Sequence, residues 1–191
     1  MKKESHCVAL GDPLFTFAVY IGNQPDMSEY QYLERAIALN KGDISTIGKV
    51  CGNGWRKVFN VYAKLLYALD QDTFSFSTWA PTWQDFRDQF LLQAGSRTAL
   101  IFSAPQLNDM VIKKECDVVH LICGKTYAKQ LIQIGKLNCP LTWIDQAFAI
   151  NLQYKVVICP YFDYRQLSDH NIKRLASMLS GLLKGEIVDL A

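Results

Sequence analysis

Polar side chains cluster in four short segments, each of which directly follows a run of apolar residues. Each segment breaks that run with glycine or proline and then offers amide, hydroxyl, carboxylate or ammonium groups. The segments are residues 22–26 (GNQPD), 103–106 (SAPQ), 123–126 (CGKT) and 160–163 (PYFD). Groups of these kinds hold substrates, bind phosphates and transfer protons, so the four segments make up the candidate site.

The carboxylates in these segments are candidates for acid–base chemistry. Asp26 closes the first segment and Asp163 closes the last. Asp163 is followed by Arg165, Asp169 and His170 around one predicted helix start, and such a group could move protons. The alternative interpretation is a loop and a capped helix with ordinary surface charges.

Gly124, Lys125 and Thr126 stand between a predicted strand and a predicted helix, as at the end of a phosphate-binding loop. The full Walker motif needs a glycine five positions before Gly124, where this chain has Val119, and this excludes a nucleotide-hydrolase loop. A helix N-terminus with Lys125 can still hold a single phosphate, and Lys129 extends the same face by one turn. The alternative is a solvated helix face.

Other catalytic and metal-binding patterns are missing from the sequence. The closest cysteines are seven positions apart, and neither HExxH nor GxSxG is present. The histidines are scattered, with His6 in the N-terminal tail, His120 inside a predicted strand and His170 at a helix start. We expect His120 to be a core residue with one hydrogen-bond partner. We predict no metal site and no cofactor.

Apolar runs rich in β-branched and aromatic residues predict the strands that position these segments. They are residues 16–21 (TFAVYI), 98–102 (TALIF), 117–122 (DVVHLI) and 155–159 (KVVIC), with residues 146–152 (QAFAINL) as a hairpin partner of the last. None of the first four runs alternates cleanly between polar and apolar residues. This pattern is typical of strands that are buried on both faces of a parallel sheet.

Helical periodicity fills the intervals between the predicted strands. Helices are predicted from Ser28 to Leu39, Trp55 to Leu69, Trp83 to Leu91 and Thr126 to Ile134, and from a Ser168 cap to Gly185. Alternating strands and helices predict an α/β fold. We expect a three-layer sandwich around a central, mostly parallel sheet of four to five strands.

Size and composition fit one globular domain. The chain has 191 residues, of which 50% are hydrophobic and 20% charged, and these fractions are ordinary for a globular protein. We predict a tail at residues 1–15 and an α/β core at residues 16–185. The net charge of +2 excludes a histone-like binder. Without an export signal or a membrane-spanning run, we predict a cytoplasmic protein with buried or idle thiols.

The predicted strands bring the four segments to one place. In open α/β sheets, ligands bind beyond the carboxyl ends of the strands. Because each of the four predicted strands ends at one of the segments, we expect the segments to converge at one edge of the sheet. The alternative is that these turns hold glycine, proline and asparagine only because every such sheet needs turns.

The order of these features resembles the uracil-DNA glycosylase-like superfamily over roughly residues 16–183. The resemblance rests on the G-x-x-P turn at residues 22–25 (GNQP), a large helical section, and the strand and turn at residues 118–131 (VVHLICGKTYAKQL). A strand with a proline-containing loop before a final helix completes the order. The resemblance implies an α/β scaffold that handles nucleic acid.

The same resemblance implies roles for individual residues. Asn23 or Asp26 would position the hydrolytic water, and Ser103, Gln106 or Asn108 would recognise a flipped base. In the family, the last loop carries a His-Pro-Ser type motif that stabilises the leaving uracil anion and grips DNA phosphates. Here the last loop reads PYFD, and losing such a stabiliser costs about 10²–10³ in rate. This departure argues against base excision.

We therefore predict a glycosylase-like scaffold that binds a nucleotide or a nucleic acid. Lys125 would contact a phosphate, and Tyr161 or Phe162 would stack against a base. Residues 1–95 carry nine Lys and Arg against ten Asp and Glu, a net charge of −1, whereas residues 96–191 carry eleven against eight, a net charge of +3. This asymmetry is small for tight binding to a phosphate backbone.

Two other functions stay open. A small-molecule enzyme could use the same cleft, with Asp26, Asp163 or His170 as the acid or base. A non-catalytic interaction protein could dock a partner on the aromatic side chains of the predicted loop at residues 73–82, unless that loop folds over the core. No feature of the sequence specifies an oligomeric state.

Overall fold

One sheet of eight strands runs through the part of the chain that the computed structural model describes, residues 7–107 and 118–186. The strands are β1 (Ala9–Gly11), β2 (Phe17–Ile21), β3 (Ala36–Ile37), β4 (Thr98–Ile101), β5 (Val119–Cys123), β6 (Thr142–Trp143), β7 (Ala149–Asn151) and β8 (Val156–Cys159). Their spatial order is β3-β1-β4-β2-β5-β8-β7-β6. The predicted α/β class is confirmed. The sheet is larger than predicted because β1, β3 and β6 are too short to produce a recognisable sequence pattern.

Four parallel strands, β4, β2, β5 and β8, form the centre of the sheet. Strand β1 runs antiparallel to β4, and β7 runs antiparallel to both β8 and β6. Because the four parallel strands end at the same edge, the segments that follow them converge there, as predicted. The chain passes from β2 to β4 on one side and then to β5 on the other side of β2. The direction of connection therefore reverses between β2 and β5.

Strands β1 and β3 form a short parallel pair, and two predictions near the N-terminus are therefore wrong. Ala9 and Leu10 of β1 pair with Ala36 and Ile37 of β3. Residues 9–11 lie in the predicted tail but form a buried strand. The prediction of a helix from Ser28 to Leu39 is also wrong, because the observed helix ends after Gln31. Pairing with β1 overrides the helical periodicity at residues 36 and 37.

Six α-helices lie in the described residues. They are α1 (Ser28–Gln31), α2 (Asp43–Val50), α3 (Asn53–Ala68), α4 (Trp83–Gln89), α5 (Lys125–Gln133) and α6 (Asp169–Lys184). Helix α6 begins at its predicted cap, where the Ser168 hydroxyl accepts a hydrogen bond from the Asn171 amide, and it ends at Gly185 with φ +74°. None of the helices in residues 7–107 and 118–186 is long and apolar enough to cross a membrane.

The sheet is buried on both faces. Along β2, Phe17 and Val19 face a large cluster to which α3 and α6 contribute their apolar stripes. Ala18 and Tyr20 face a smaller cluster on the opposite side, which includes Ala128 of α5. Burial on both faces explains why the predicted strands read as continuous apolar runs.

The aromatic loop at residues 73–82 folds onto the core. It contains a 3₁₀-helix at Ser75–Thr78. Phe76 is buried, and its ring lies 6.2 Å from the ring of Phe17 and 5.8 Å from that of Phe86. Because this side chain is already packed within the protein, the loop does not present it as a docking surface.

The described cysteines are free thiols. Cys123, Cys139 and Cys159 are buried, and Cys7 and Cys51 are half-buried. Burial raises the pKa of the Cys123 thiol, which keeps that thiol protonated at neutral pH. Cys116, like His6, lies outside the described residues.

His120 is half-buried in β5 and is not one of the buried core residues, but its side chain has the one predicted hydrogen-bond partner within the described residues. Its Nδ1 shares a hydrogen bond of 2.8 Å with the Tyr20 hydroxyl, and the two rings stack with centroids 5.7 Å apart. Burial lowers the pKa of His120 to about 4, because the charged imidazolium loses its hydration there. The ring is therefore neutral at physiological pH.

The lowered pKa of the half-buried His120 predicts a specific loss of stability in acid. Its folded-state pKa lies below its ordinary value, so its contribution to stability is complete above about pH 6.5 and declines as the pH falls toward 4. We expect the wild type to lose about 1–2 kcal/mol more than the His120→Gln variant between pH 7.5 and pH 4. Urea unfolding at the two pH values measures this difference. Parallel pH profiles of the two proteins would contradict it.

Candidate functional site

A pocket of about 650 Å³ opens at the carboxyl edge of the sheet, where the connections reverse direction between β2 and β5. Such a switch point is where open α/β sheets bind ligands. The lining comes from the segment after β2 (Gly22, Asn23), from β5 and α5 (Cys123–Tyr127, Gln130), from the β6–β7 connection (Gln146, Ala147) and from the segment after β8 (Pro160, Tyr161, Gln166).

Two tyrosines form walls of the pocket by packing on glycines. A Cβ atom at Gly22 would lie 2.9 Å from the ring of Tyr127, which is closer than packed atoms approach. A Cβ at Gly124 would lie 3.5 Å from the ring of Tyr161, and Gly124 has φ +103°, a conformation that favours glycine. Gly22 therefore lets the Tyr127 ring approach the backbone, whereas Gly124 is needed for its backbone conformation and its distance to Tyr161 is an ordinary contact.

The contact between Gly22 and Tyr127 predicts a thermodynamic coupling. We expect Gly22→Ala to lower the free energy of unfolding by about 1–2 kcal/mol, because the added methyl group overpacks against the Tyr127 ring. In a Tyr127→Ala background, the same substitution should cost almost nothing. A double-mutant cycle by urea unfolding measures the coupling, and an equal cost in both backgrounds would contradict it.

A hydrogen bond joins the two outer segments of the pocket. The Tyr161 hydroxyl donates to Asn23 Oδ1 over 3.0 Å and so links the segment after β8 to the segment after β2, past the end of β5. Burial raises the pKa of Tyr161. Its hydroxyl therefore stays protonated at neutral pH and remains a donor.

The N-terminus of α5 gives the pocket a positive character. The first hydrogen bond within this helix runs from the Ala128 amide to the Gly124 carbonyl, so the amides of Lys125, Thr126 and Tyr127 precede the helix's own bonds. The N-cap residue is Gly124, and no described side chain caps the helix. The Lys125 side chain lines the same pocket. Amide donors, the helix dipole and an ammonium group together favour an anion.

Neutral amide groups supply most of the remaining polar lining. Four carboxamides contribute from four different elements: Asn23, Gln130, Gln146 and Gln166. The described lining contains no aspartate, glutamate or histidine. A carboxamide both donates and accepts hydrogen bonds, so the pocket matches a ligand with mixed donors and acceptors and an anionic end.

The connection between β6 and β7, which lines one side of the pocket, is held in place by Asp145. Asp145 accepts hydrogen bonds from the Ala147 amide at 2.6 Å and the Phe148 amide at 2.8 Å. Its other carboxylate oxygen pairs with Arg174 on α6. These contacts fix the β6–β7 connection, and they present Gln146 to the pocket.

Asp163 lies outside this pocket, although the sequence placed it among the catalytic candidates. Its carboxylate pairs with Lys57 Nζ at 2.8 Å and accepts a hydrogen bond from the Arg165 amide. The hydrogen bond from Lys57 lowers the pKa of Asp163, so the carboxylate is ionised and engaged at neutral pH. Of the other residues predicted to cluster with it, Arg165 lies beside Asp163, whereas Asp169 pairs with Lys64 at 3.0 Å.

Other predicted site residues also lie outside the pocket lining. Asp26 accepts a hydrogen bond from the Gln31 side chain on the protein surface. Ser103 and Gln106 follow β4, which neighbours β2, but neither lines the pocket. Lys129 is exposed one turn along α5. Asn108, named by the resemblance, lies outside the described residues.

Phe162 is a core residue, which corrects its prediction as a ligand contact. Its side chain is fully buried, and its ring lies 5.7 Å from the ring of Tyr62. Its backbone amide donates to the sulfur of Cys123 over 3.3 Å. In the segment after β8, Tyr161 alone therefore presents an aromatic ring to the pocket.

The structure thus brings together five of the predicted residues and adds others. Asn23, Gly124, Lys125, Thr126 and Tyr161 all line the pocket. Sequence reasoning missed Tyr127 and Gln130 on α5 and the glutamines at positions 146 and 166. The three-residue spacing of Tyr127 and Gln130 is the helical spacing of one face, which is a signal that could have placed them together. Gln146 carried no such signal, because it stood inside a predicted strand.

A second groove, of about 760 Å³, lies between the ends of α3 and α6. Its lining combines acidic and basic side chains, including Asp70, Asp72, Lys173 and Lys184. With Glu186 also in the lining, three carboxylates stand against two lysines, a net charge of −1, and the groove lies away from the carboxyl ends of the parallel strands. The strand-end pocket has the position expected of a ligand site and a net positive charge.

Comparison with known protein families places the chain in one of them. A family model described as "Family of unknown function (DUF6942)" matches residues 8–180. No curated protein and no solved structure matches the chain.

Proposed function

The chain belongs to a family of unknown function, DUF6942, and we propose that its strand-end pocket binds a small molecule of mononucleotide size that carries an anionic group. One observation carries the proposal: a pocket of about 650 Å³ at the switch point of the sheet holds Lys125 and an uncapped helix start, with no carboxylate in its described lining. The anionic group would lie against the amides of residues 125–127.

The charge distribution favours a small anion over a long polyanion. Lys125 is the cation among the described lining residues, and Lys129 lies outside the lining. Affinity for a nucleic-acid backbone grows with the number of phosphates that a protein neutralises. One lysine and one helix start suit a single phosphate or carboxylate.

The rest of the lining suits the uncharged part of such a ligand. Asn23, Gln146 and Gln166 can each donate and accept hydrogen bonds, as the polar edges of a nucleobase or a sugar require. The Tyr161 hydroxyl, whose proton is donated to Asn23, adds a fixed acceptor oxygen. We therefore propose a mononucleotide as the ligand class, and a cytoplasmic location stays a prediction.

The proposal assigns binding rather than a catalytic step. General acid–base chemistry needs a group whose pKa lies near the working pH. Burial moves the pKa of Tyr161 further from neutrality, and no carboxylate or histidine stands among the described lining residues. Lys125 and the tyrosines would accordingly hold and orient the ligand.

Isothermal titration calorimetry with a small ligand panel tests the proposal. The panel contains adenosine and uridine 5′-monophosphates, ribose 5-phosphate, inorganic phosphate and the two uncharged nucleosides. We expect the sugar phosphate or the nucleotides to bind at least about tenfold more tightly than the nucleosides, since a hydrogen bond to a charged group contributes about 1.5–3 kcal/mol. Absence of binding by every phosphorylated compound to folded protein would overturn the proposal.

A second candidate keeps the glycosylase-like resemblance and takes a nucleic acid as the ligand. The hydrogen bond between Asn23 and Tyr161 favours it, because it joins the two segments to which the resemblance assigns the water and the leaving base. Fluorescence anisotropy of labelled single-stranded and duplex oligonucleotides, with and without uracil and at two salt concentrations, tests it. Salt-sensitive binding supports this candidate, and lack of binding at low salt rejects it.

A further inference from the structure

Trp143 on β6 is not among the residues that line the pocket, but it contacts Lys125, which is. The Lys125 ammonium lies over its indole ring, 5.9 Å from the ring centroid. Trp143 is 41% exposed, so much of its ring surface is in contact with water. A large, partly exposed aromatic side chain beside a polar pocket is a common ring-stacking surface in ligand sites.

We propose that Trp143 is a specificity-determining residue that selects ligands with a planar ring. The indole would exchange its contact with the Lys125 ammonium for a stacking contact with the ring of the ligand. In the structure, Lys125 lies over the indole face. When an anionic group enters, the ammonium turns to the anion and the ligand's ring takes its place on the indole. This inference rests on the proposed function and adds to it the requirement for a ring.

The exchange follows from the relative strengths of the two contacts. A cation–π contact at an exposed site is weak, and the distance of 5.9 Å is near the outer limit for such a contact. A hydrogen bond between an ammonium group and an anion is stronger. A bound phosphate would therefore draw Lys125 away and leave the indole face open for stacking.

The surrounding structure holds Trp143 in place for this role. Trp143 pairs with Ala149 of β7 in an antiparallel register. The connection that follows it is fixed by Asp145, which accepts two backbone amide hydrogen bonds and pairs with Arg174. The same connection presents Gln146 to the pocket. The indole therefore lies next to a fixed connection that contributes Gln146 to the pocket.

Affinity measurements on Trp143→Ala and Trp143→Phe test the inference with two kinds of ligand. Adenosine 5′-monophosphate carries a ring, and ribose 5-phosphate carries the same anionic group and sugar without the ring. We expect Trp143→Ala to weaken nucleotide binding by about 5- to 100-fold, the range for loss of one stacked base. Binding of ribose 5-phosphate should change by less than about twofold. Trp143→Phe retains a ring and should keep most of the nucleotide affinity.

Tryptophan fluorescence gives a second readout that a merely structural role would not change. The chain has four tryptophans, of which Trp55 is buried and Trp143 is 41% exposed. The difference between wild-type and Trp143→Phe emission isolates the signal of this indole. We expect the nucleotide to quench that signal strongly and ribose 5-phosphate to change it weakly, as the ring alone stacks.

The outcomes separate the inference from the function on which it rests. If Trp143→Ala weakens both ligands equally, or neither, the inference is wrong while binding of an anion at the pocket stands. If wild-type protein binds neither ligand, the proposed function fails and the inference fails with it. Circular dichroism of both variants confirms that a loss of affinity does not reflect unfolding.

Discussion

Phe162→Ala should lower the free energy of unfolding by about 3–5 kcal/mol, the usual cost of truncating a buried phenylalanine. The side chain is fully buried, its ring lies 5.7 Å from that of Tyr62, and Tyr62 is itself fully buried. Removing the ring leaves a cavity beneath the segment that follows β8. Urea unfolding monitored by circular dichroism measures the change.

The neighbouring tyrosine provides the matched control. Tyr161 is half-buried at the pocket wall, and its hydroxyl bonds to the exposed Asn23. We expect Tyr161→Ala to cost only about 1–2 kcal/mol, because less apolar surface is lost and the site can fill with water. A larger cost for Tyr161→Ala than for Phe162→Ala would contradict the assignment of Phe162 to the core and Tyr161 to the pocket.

Lys125→Met should weaken binding of a phosphorylated ligand by about 10- to 100-fold, because the ammonium group is the charged partner that the pocket offers. Methionine keeps much of the length and the apolar stem of the side chain. Stability should change by less than about 0.5 kcal/mol, since the lost contact with Trp143 is weak and solvent-exposed. Calorimetric titration and thermal unfolding measure the two quantities.

Lys129→Met is the control for this substitution. Lys129 lies one turn along the same helix, is exposed and does not line the pocket. Lys129→Met removes the same formal charge as Lys125→Met, so both substitutions change the long-range electrostatic field of the protein in the same way. Equal losses of affinity in the two variants would show that a diffuse positive face, rather than the pocket, attracts the ligand.

The central strands could be predicted because burial on both faces leaves a strong signal in the sequence. Strands β2, β4 and β8 fall within predicted apolar runs, and β5 overlaps the run at residues 117–122 but extends one residue further, to Cys123. The short strands left no comparable signal. Pairing of Ala36 with Ala9 depends on a contact between distant parts of the chain, and local periodicity at Ala36 favours a helix instead.

The site residues that lie just after a strand could be predicted from the sequence. Those whose position depends on packing or on distant contacts could not. Asn23, Lys125 and Tyr161 each come directly after a predicted strand, and the parallel register brings them together. Phe162 could not be distinguished from Tyr161 by residue type, because one position along the segment decides which ring faces the core. Gln146 depends on a turn that Asp145 and a distant arginine hold in place.

The most direct test of the proposed binding pocket is a ¹H–¹⁵N NMR titration of the full chain with uridine 5′-monophosphate. We expect the largest shifts in the backbone amides of residues 124–127 and of Asn23, where the helix start and the segment after β2 meet the pocket. Largest shifts in the groove that contains Asp70, Lys173 and Lys184 would place the ligand elsewhere. No shift at saturating ligand would contradict a nucleotide-binding pocket altogether.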